Sequence, residues 1–287
     1  MNGLAPGQIQ LAIVGATGMV GGYVLRYALD HPSVGLVTVI GRRKLGISHP
    51  KLNEVLHQDF ADCTALAGAL SDQNAAVCCL GVYTGAVPDA EFRKITVDYT
   101  VEFARVLRAS SPDAAFSFLS GMGADQTGRS RVPFARYKGE AEKALLGAGF
   151  PHLYIFRPSY IYPVEPRKEP NFSYRLLRAI YPVFRMLFPN QVIPADDLAR
   201  AMVDVVVRKT AERANRILEN RDIRAVVQTP GGQRDFKPDG DFSVQYGVAR
   251  GGIGAEIALK TKSCAVRTDY SEARRWASTC SHSLIAF

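Results

Sequence analysis

Gly15-Ala16-Thr17-Gly18-Met19-Val20-Gly21-Gly22 stands between an apolar run, Ile9 to Val14, and a helical pattern that opens with Tyr23-Val24-Leu25. A β-branched run, a glycine turn and a helix in that order form the opening unit of a dinucleotide-binding βαβ fold. The three spaced glycines serve different ends. Gly15 turns the chain out of the strand, Gly18 removes the Cβ that would meet a pyrophosphate, and Gly21 lets the helix pack closely. Gly15, Thr17, Gly18, Met19, Val20 and Gly21 are therefore candidate cofactor-binding residues, with free N–H groups and the positive helix end facing the phosphates.

Outward from this loop, Leu36 to Ile40 is an unbroken apolar run that suits a buried parallel strand, and it stops at Gly41-Arg42-Arg43-Lys44. An NAD-preferring site places a carboxylate at this point for the adenosine ribose hydroxyls. Arg42 and Arg43 stand there instead and match a 2′-phosphate, so the expected cofactor is NADP(H). A solvated basic turn is the alternative reading. The next strand, about Asn53 to His57, leads to Asp59, placed to accept from an adenine amino group. Asp59 or Asp62 could equally cap the helical run Cys63 to Leu70. A fourth strand, Ala75 to Leu80, is closed by Gly81, where a missing side chain leaves room for the cofactor.

From Asp89 to Ala109 the apolar positions fit a long amphipathic helix imperfectly, and Ala115 to Ser120 reads as a fifth strand. A helix then starts near Pro133. Phe134, Tyr137, Lys138, Ala141, Ala144, Leu145 and Ala148 share one stripe of it, with Arg136, Glu140, Glu142 and Lys143 off the stripe. Lys138 on a buried face requires an anionic or hydroxyl partner. A strand from His152 to Phe156 leads into Arg157-Pro158, and a helix from Asp196 to Val207 is expected to be capped by Asp196. Alternation of this kind implies an α/β doubly wound parallel sheet, a Rossmann domain spanning 8–226.

The balance of 35 Lys and Arg against 27 Asp and Glu suits an acidic ligand, an anionic surface or nucleic acid about equally. The basic residues are spread along the chain and no nucleic-acid motif occurs, which argues against nucleic acid. Five cysteines without metal spacing fit reduced thiols. No run reaches membrane-spanning length and no leader pattern is visible, so a cytoplasmic location is expected.

Taken jointly, the glycine loop, Arg42, Asp59, Gly81, Ser120, Lys138-Gly139-Glu140 and Arg157-Pro158 resemble the short-chain dehydrogenase/reductase superfamily. The branch they resemble is the atypical one that includes Tat-interacting-protein-like and NmrA-like NADP-binding proteins. The resemblance covers roughly Gln10 to Ala225. It implies that Ser120 holds a substrate oxygen, that Lys138 holds the nicotinamide ribose, and that Pro158 lies beside the cofactor. It also implies a catalytic Tyr four residues before Lys138, and that position is Phe134. The remaining candidate proton donors are Tyr137, Tyr160, Tyr162 and water, with Ser120, Lys138 and Tyr137 taken as the catalytic set. Two functions follow as expectations. One is an NADPH-dependent oxidoreductase acting on a small or medium apolar carbonyl compound, in which a hydroxyl added at position 134 should raise the rate. The other is an NADP(H)-binding redox sensor or scaffold that engages a regulatory protein partner and turns nothing over.

Two stretches leave the alternating pattern. Residues 163–194 are aromatic and basic, broken at Pro182, and read as a lid over the substrate side, with contact at an anionic membrane surface as the competing idea. Residues 227–287 lack a sustained period and read as a C-terminal extension of unknown role.

Overall fold

The computed structural model describes residues 5–164, 191–208 and 214–228. Most of the expected lid and nearly all of the C-terminal extension lie outside the described residues.

Seven parallel strands form one sheet: β1 (Ile9–Val14), β2 (Val34–Gly41), β3 (Leu52–Leu56), β4 (Ala75–Cys78), β5 (Ala115–Leu119), β6 (His152–Arg157) and β9 (Ala214–Glu219). They lie in the order β3-β2-β1-β4-β5-β6-β9. A small second sheet pairs β7 (Tyr160–Tyr162) with β8 (Val192–Pro194), also in parallel. The central strands are apolar on both faces because helices cover both. On one face α1 (Met19–Asp30) and α5 (Ala195–Val207) pack together over Leu11, Ile13, Val37 and Val39. On the other, α3 (Tyr99–Ser110) and α4 (Pro133–Gly147) cover Ala12, Val14, Phe116 and Phe118. The described residues end with α6 (Asn220–Gln228), which runs two residues past the expected domain boundary.

Three local features depart from the sequence pattern, each for a physical reason. The helix expected from 89 to 109 is continuous but carries a π-turn at Lys94–Asp98 between α2 (Asp89–Arg93) and α3. The extra residue in that turn shifts the helical phase, so one period of 3.6 could not fit both halves. The segment Cys63 to Leu70 holds only a short 3₁₀ turn, Thr64–Leu66. Helix α5 begins at Ala195 after Pro194, with no side-chain cap; Asp196 is in its first turn, where its charge meets the helix dipole.

Strand order reverses where β1 meets β4, one strand leading outward to β2 and the other to β5. Open parallel sheets bind ligands in the crevice above such a switch point. The carboxyl ends of β1, β2 and β4 carry Gly15, Arg42 and Gly81 respectively, so the topology gathers residues from distant parts of the chain at one place.

Candidate dinucleotide site

A cleft opens at that switch point, lined by the Gly15–Gly18 loop, by Gly41, Arg42 and Arg43 after β2, by Phe60, by Cys79 to Val82 after β4, and by Ile95 and Tyr99. Gly15 adopts φ +84°, and a Cβ there would lie 2.6 Å from the Cys79 carbonyl oxygen. A Cβ at Gly21 would lie 2.1 Å from the Gly15 carbonyl oxygen, so the first turn of α1 rests directly on the loop. Helix α1 has Gly18 as its N-cap, with no side-chain cap and no acidic residue in its first turn. The N–H groups of Met19, Val20 and Gly21 thus lack the intrahelical partners that later residues have. An uncapped helix start free of negative charge, opening on a glycine-lined cleft, fits a pyrophosphate.

Of the cofactor residues read from the sequence, Gly15, Thr17, Gly18, Arg42, Arg43 and Gly81 line this cleft. Met19, Val20 and Gly21 form the first turn of α1 behind the loop. Asp59 is exposed and accepts from the Ala61 N–H at 3.0 Å, while its neighbour Phe60 is the residue in the cleft wall. Asp62, not Asp59, takes the N–H of Thr64, at 2.9 Å. Pro158 is buried on the far side of β5, where its carbonyl accepts from the Met122 N–H at 2.9 Å. Phe60 and Tyr99, with ring centroids 6.1 Å apart, were not singled out in the sequence. Apolar aromatics in a core pattern carry no mark that separates cleft wall from core.

The α4 end of the site is built differently. Lys138 is 6% exposed, and in place of the expected anionic or hydroxyl partner its ammonium donates to the Leu119 backbone carbonyl at 2.8 Å and sits 4.9 Å over the Phe118 ring. It lies beside Gly81, whose absent Cβ would be 3.9 Å from Nζ. Burial pushes the Lys138 pKa down to about 8, against a smaller upward pull from the Glu142 carboxylate. Ser120 is buried and not among the residues that line the cleft, and its hydroxyl donates to Glu142 Oε1 at 2.5 Å. Glu142 is fully buried and also accepts from Arg157 Nε at 2.9 Å, Arg157 Nη2 at 2.5 Å and Gln126 Nε2 at 2.7 Å. That carboxylate holds the Arg157 pKa above its ordinary value.

Glu142 therefore belongs to the buried side of α4, a correction to its place off the stripe. It follows Lys138 by one turn, and its burial is sustained by four charge-assisted donors. Tyr137 is buried as expected, yet its hydroxyl donates to Asp89 Oδ2 at 2.5 Å, at the start of α2, and its ring packs edge-on against Phe92. Phe134 presses its ring vertex on Gly121: a Cβ there would lie 2.4 Å from Cζ and 3.0 and 3.6 Å from the two Cε atoms. Gly121 was not identified from the sequence, although Ser120-Gly121 stands at the end of β5.

No protein-family profile matches the chain. Among curated proteins it is 30% identical over 214 residues to Protein HTATIP2 of Rattus norvegicus, covering 74% of this chain and 86% of the relative. It is also 30% identical over 165 residues to Protein fmp52-1, mitochondrial, of Aspergillus terreus, covering 56% of this chain and 70% of that protein. Solved structures of similar fold include a UDP-N-acetylglucosamine 4-epimerase from Bacillus cereus, with a TM-score of 0.55 at 14% identity, covering 76% of this chain and 84% of that one. Another is the Bordetella bronchiseptica enzyme WbmG in complex with NAD, with a TM-score of 0.54 at 14% identity, covering 79% of each chain.

Fold and site together define an NAD(P)-binding Rossmann protein of the short-chain dehydrogenase/reductase type. The chain belongs to the atypical branch of that superfamily, the family of HTATIP2. One expectation is corrected here: the fungal relatives are named as mitochondrial, which overturns the cytoplasmic location. Cys63, Cys78 and Cys79 are free thiols, and reduced thiols report a redox state, which more than one compartment shares.

Proposed function

We propose that the protein binds NADP(H) and senses its redox state, without the side-chain acid that efficient carbonyl reduction requires. The observation that carries this reading is the orientation of the α4 end: Ser120 is turned to Glu142, Tyr137 to Asp89, and position 134 bears a phenyl ring. The α1 N-terminus and loop would hold the pyrophosphate, Arg42 and Arg43 the 2′-phosphate, and Phe60 and Tyr99 would flank the adenine. When bound, the nicotinamide supplies a transferable hydride. Lys138 would meet the nicotinamide half of the ligand, and the occupied site would be read by a protein partner. The mitochondrial naming of the fungal relatives supports a mitochondrial location, which cell fractionation tests.

One observation favours a second reading. Burial brings the Lys138 pKa down to about 8, and on α4 it follows Phe134 and Tyr137 of the apolar cluster they form with Phe92 and Val97, so the site could reduce a small or medium apolar carbonyl compound with Lys138 as the acid. NADPH consumption against a panel of such carbonyls, run beside a fluorescence titration of NADPH, separates the two. Saturable binding with no consumption supports the sensor. Steady turnover that is lost in Lys138→Met establishes the oxidoreductase.

A further inference from the structure

Lys138 is a buried cation beside a cleft that otherwise offers backbone and apolar groups at that end. Among the described residues, these groups face it. Leu119 presents a carbonyl oxygen at 2.8 Å and Phe118 its ring face at 4.9 Å, both from β5. Cys78 and Cys79 lie on the β4 side, and burial raises the pKa of both thiols, which keeps them protonated and neutral. Glu142, on α4 itself, is the nearby anion, but its oxygens are taken by Ser120, Gln126 and Arg157. Among the described residues Lys138 forms no ion pair, so its charge is not spent on a neighbour and acts on whatever enters past Gly81.

The cleft has a second, distant group of cations, Arg42 and Arg43, at the opposite side of the switch point. A dinucleotide bound with its adenosine phosphate at those arginines must direct its other half toward Gly81 and Lys138. The oxidised nicotinamide ring carries a positive charge and the reduced ring carries none; the phosphates are the same in both. A fixed cation in a weakly screened pocket therefore separates the two forms by charge alone.

We infer that Lys138 is the residue that makes this site select the reduced dinucleotide, NADPH, over NADP⁺, and that the selection weakens as the lysine loses its proton. The inference rests on the sensor reading above and supplies its discriminating element. Because the two ligands differ by one unit charge, a preference of about tenfold is expected when Lys138 is charged. Burial sets its titration near 8, so the preference should be largest below pH 7 and fade above pH 9.

The experiment is a set of equilibrium titrations of the full chain with NADPH, NADP⁺ and 2′,5′-ADP, which lacks the nicotinamide, from pH 6 to 10. The expected result is a ratio of NADP⁺ to NADPH dissociation constants that falls through a transition near pH 8, while 2′,5′-ADP shows no such transition. Lys138→Met should hold the ratio near one at every pH with 2′,5′-ADP affinity retained. A wild-type ratio that is flat across the range overturns the inference while leaving dinucleotide binding intact. Failure of all three ligands to bind overturns the dinucleotide reading itself. The wild-type profile decides the matter even if Lys138→Met does not fold.

Discussion

The Arg42 side of the cleft and the α4 region beside Gly81 are built from different materials, glycine backbone in one and polar side chains in the other. At the Arg42 end the chain supplies backbone: Gly15 and Gly21 lack side chains where other backbone passes within contact distance, and the start of α1 is left uncapped. At the α4 end it supplies side chains whose polar groups are engaged by the protein itself, Ser120 by the buried Glu142 and Tyr137 by Asp89 at the exposed start of α2. A site that grips a phosphate keeps its donors free, whereas under the sensor reading proposed above the α4 hydroxyls are left to brace their own frame. Breaking each end separately tests that division.

The largest effect should come from the brace. Arg157→Met leaves the fully buried Glu142 without its bidentate partner, and removing one member of a buried ion pair typically costs about 3–5 kcal/mol. Denaturant unfolding should show that loss, while Arg157→Met combined with Glu142→Leu should recover much of it. If the single variant is as stable as wild type, the carboxylate is solvated and the α4 end is looser than described.

At the other end, Arg42→Ala should weaken NADPH binding by roughly ten- to a hundredfold, the range of about 1.5–3 kcal/mol for a hydrogen bond to a charged group. NADH binding should barely change. Fluorescence titration of both ligands checks this, and equal losses would remove the 2′-phosphate assignment from Arg42.

The same contrast explains what the sequence disclosed. The placement of the Arg42 end was legible because its glycines stand at fixed offsets after a β-branched run and its basic residues at a strand end, all local signals. The buried stripe of α4 was legible for the same reason, a period of 3.6 that placed Lys138 inward. Lying outside that reach were Gly121, whose role depends on a ring 13 residues on, and Glu142, whose burial depends on Arg157 from the next strand. Partners set by the folded chain leave no trace in spacing along one helix. The π-turn at Lys94–Asp98 has the same character, since it only blurred a pattern that seen alone suggested a weak helix.

Phe134→Tyr sharpens the comparison further. The sequence alone predicts that the added hydroxyl raises carbonyl reduction. The ring vertex, however, points at Gly121, so the new oxygen would extend into space that the Gly121 backbone borders. The expected outcome is a destabilisation of about 1–3 kcal/mol, typical of overpacking, with no gain in NADPH consumption. A variant that is stable and reduces carbonyls would show that the ring swings into the cleft. Tyr137→Phe is milder. It removes one hydroxyl and its bond to Asp89, at a cost of about 1 kcal/mol, and should leave NADPH affinity unchanged.

The smallest effect lies far from the cleft, where α1 meets α5, and it serves as the control for pH experiments on Lys138. His31 follows α1 with its Nδ1 accepting the Ser33 N–H at 3.1 Å, a bond that requires that nitrogen to be unprotonated. Its Nε2 lies 3.7 Å from Asp204, which also accepts from Tyr27 at 2.8 Å and Arg208 at 2.8 Å. Burial lowers the His31 pKa below 6.5; Asp204 opposes the shift, and Lys51 and Arg208 add to it. Above pH 6.5 the ring is neutral folded and unfolded, and it contributes no pH dependence. As pH falls below 6.5 the unfolded chain takes up a proton that the folded chain resists, so stability declines. His31→Gln should remove that decline, so that its stability relative to wild type improves by a few tenths of a kcal/mol between pH 7 and pH 5. Urea unfolding at both pH values measures it. Because this window ends below pH 7, it leaves any transition near pH 8 to Lys138; a wild-type stability that rises on acidification would mean that Asp204 outweighs burial and that His31 is charged in the folded protein.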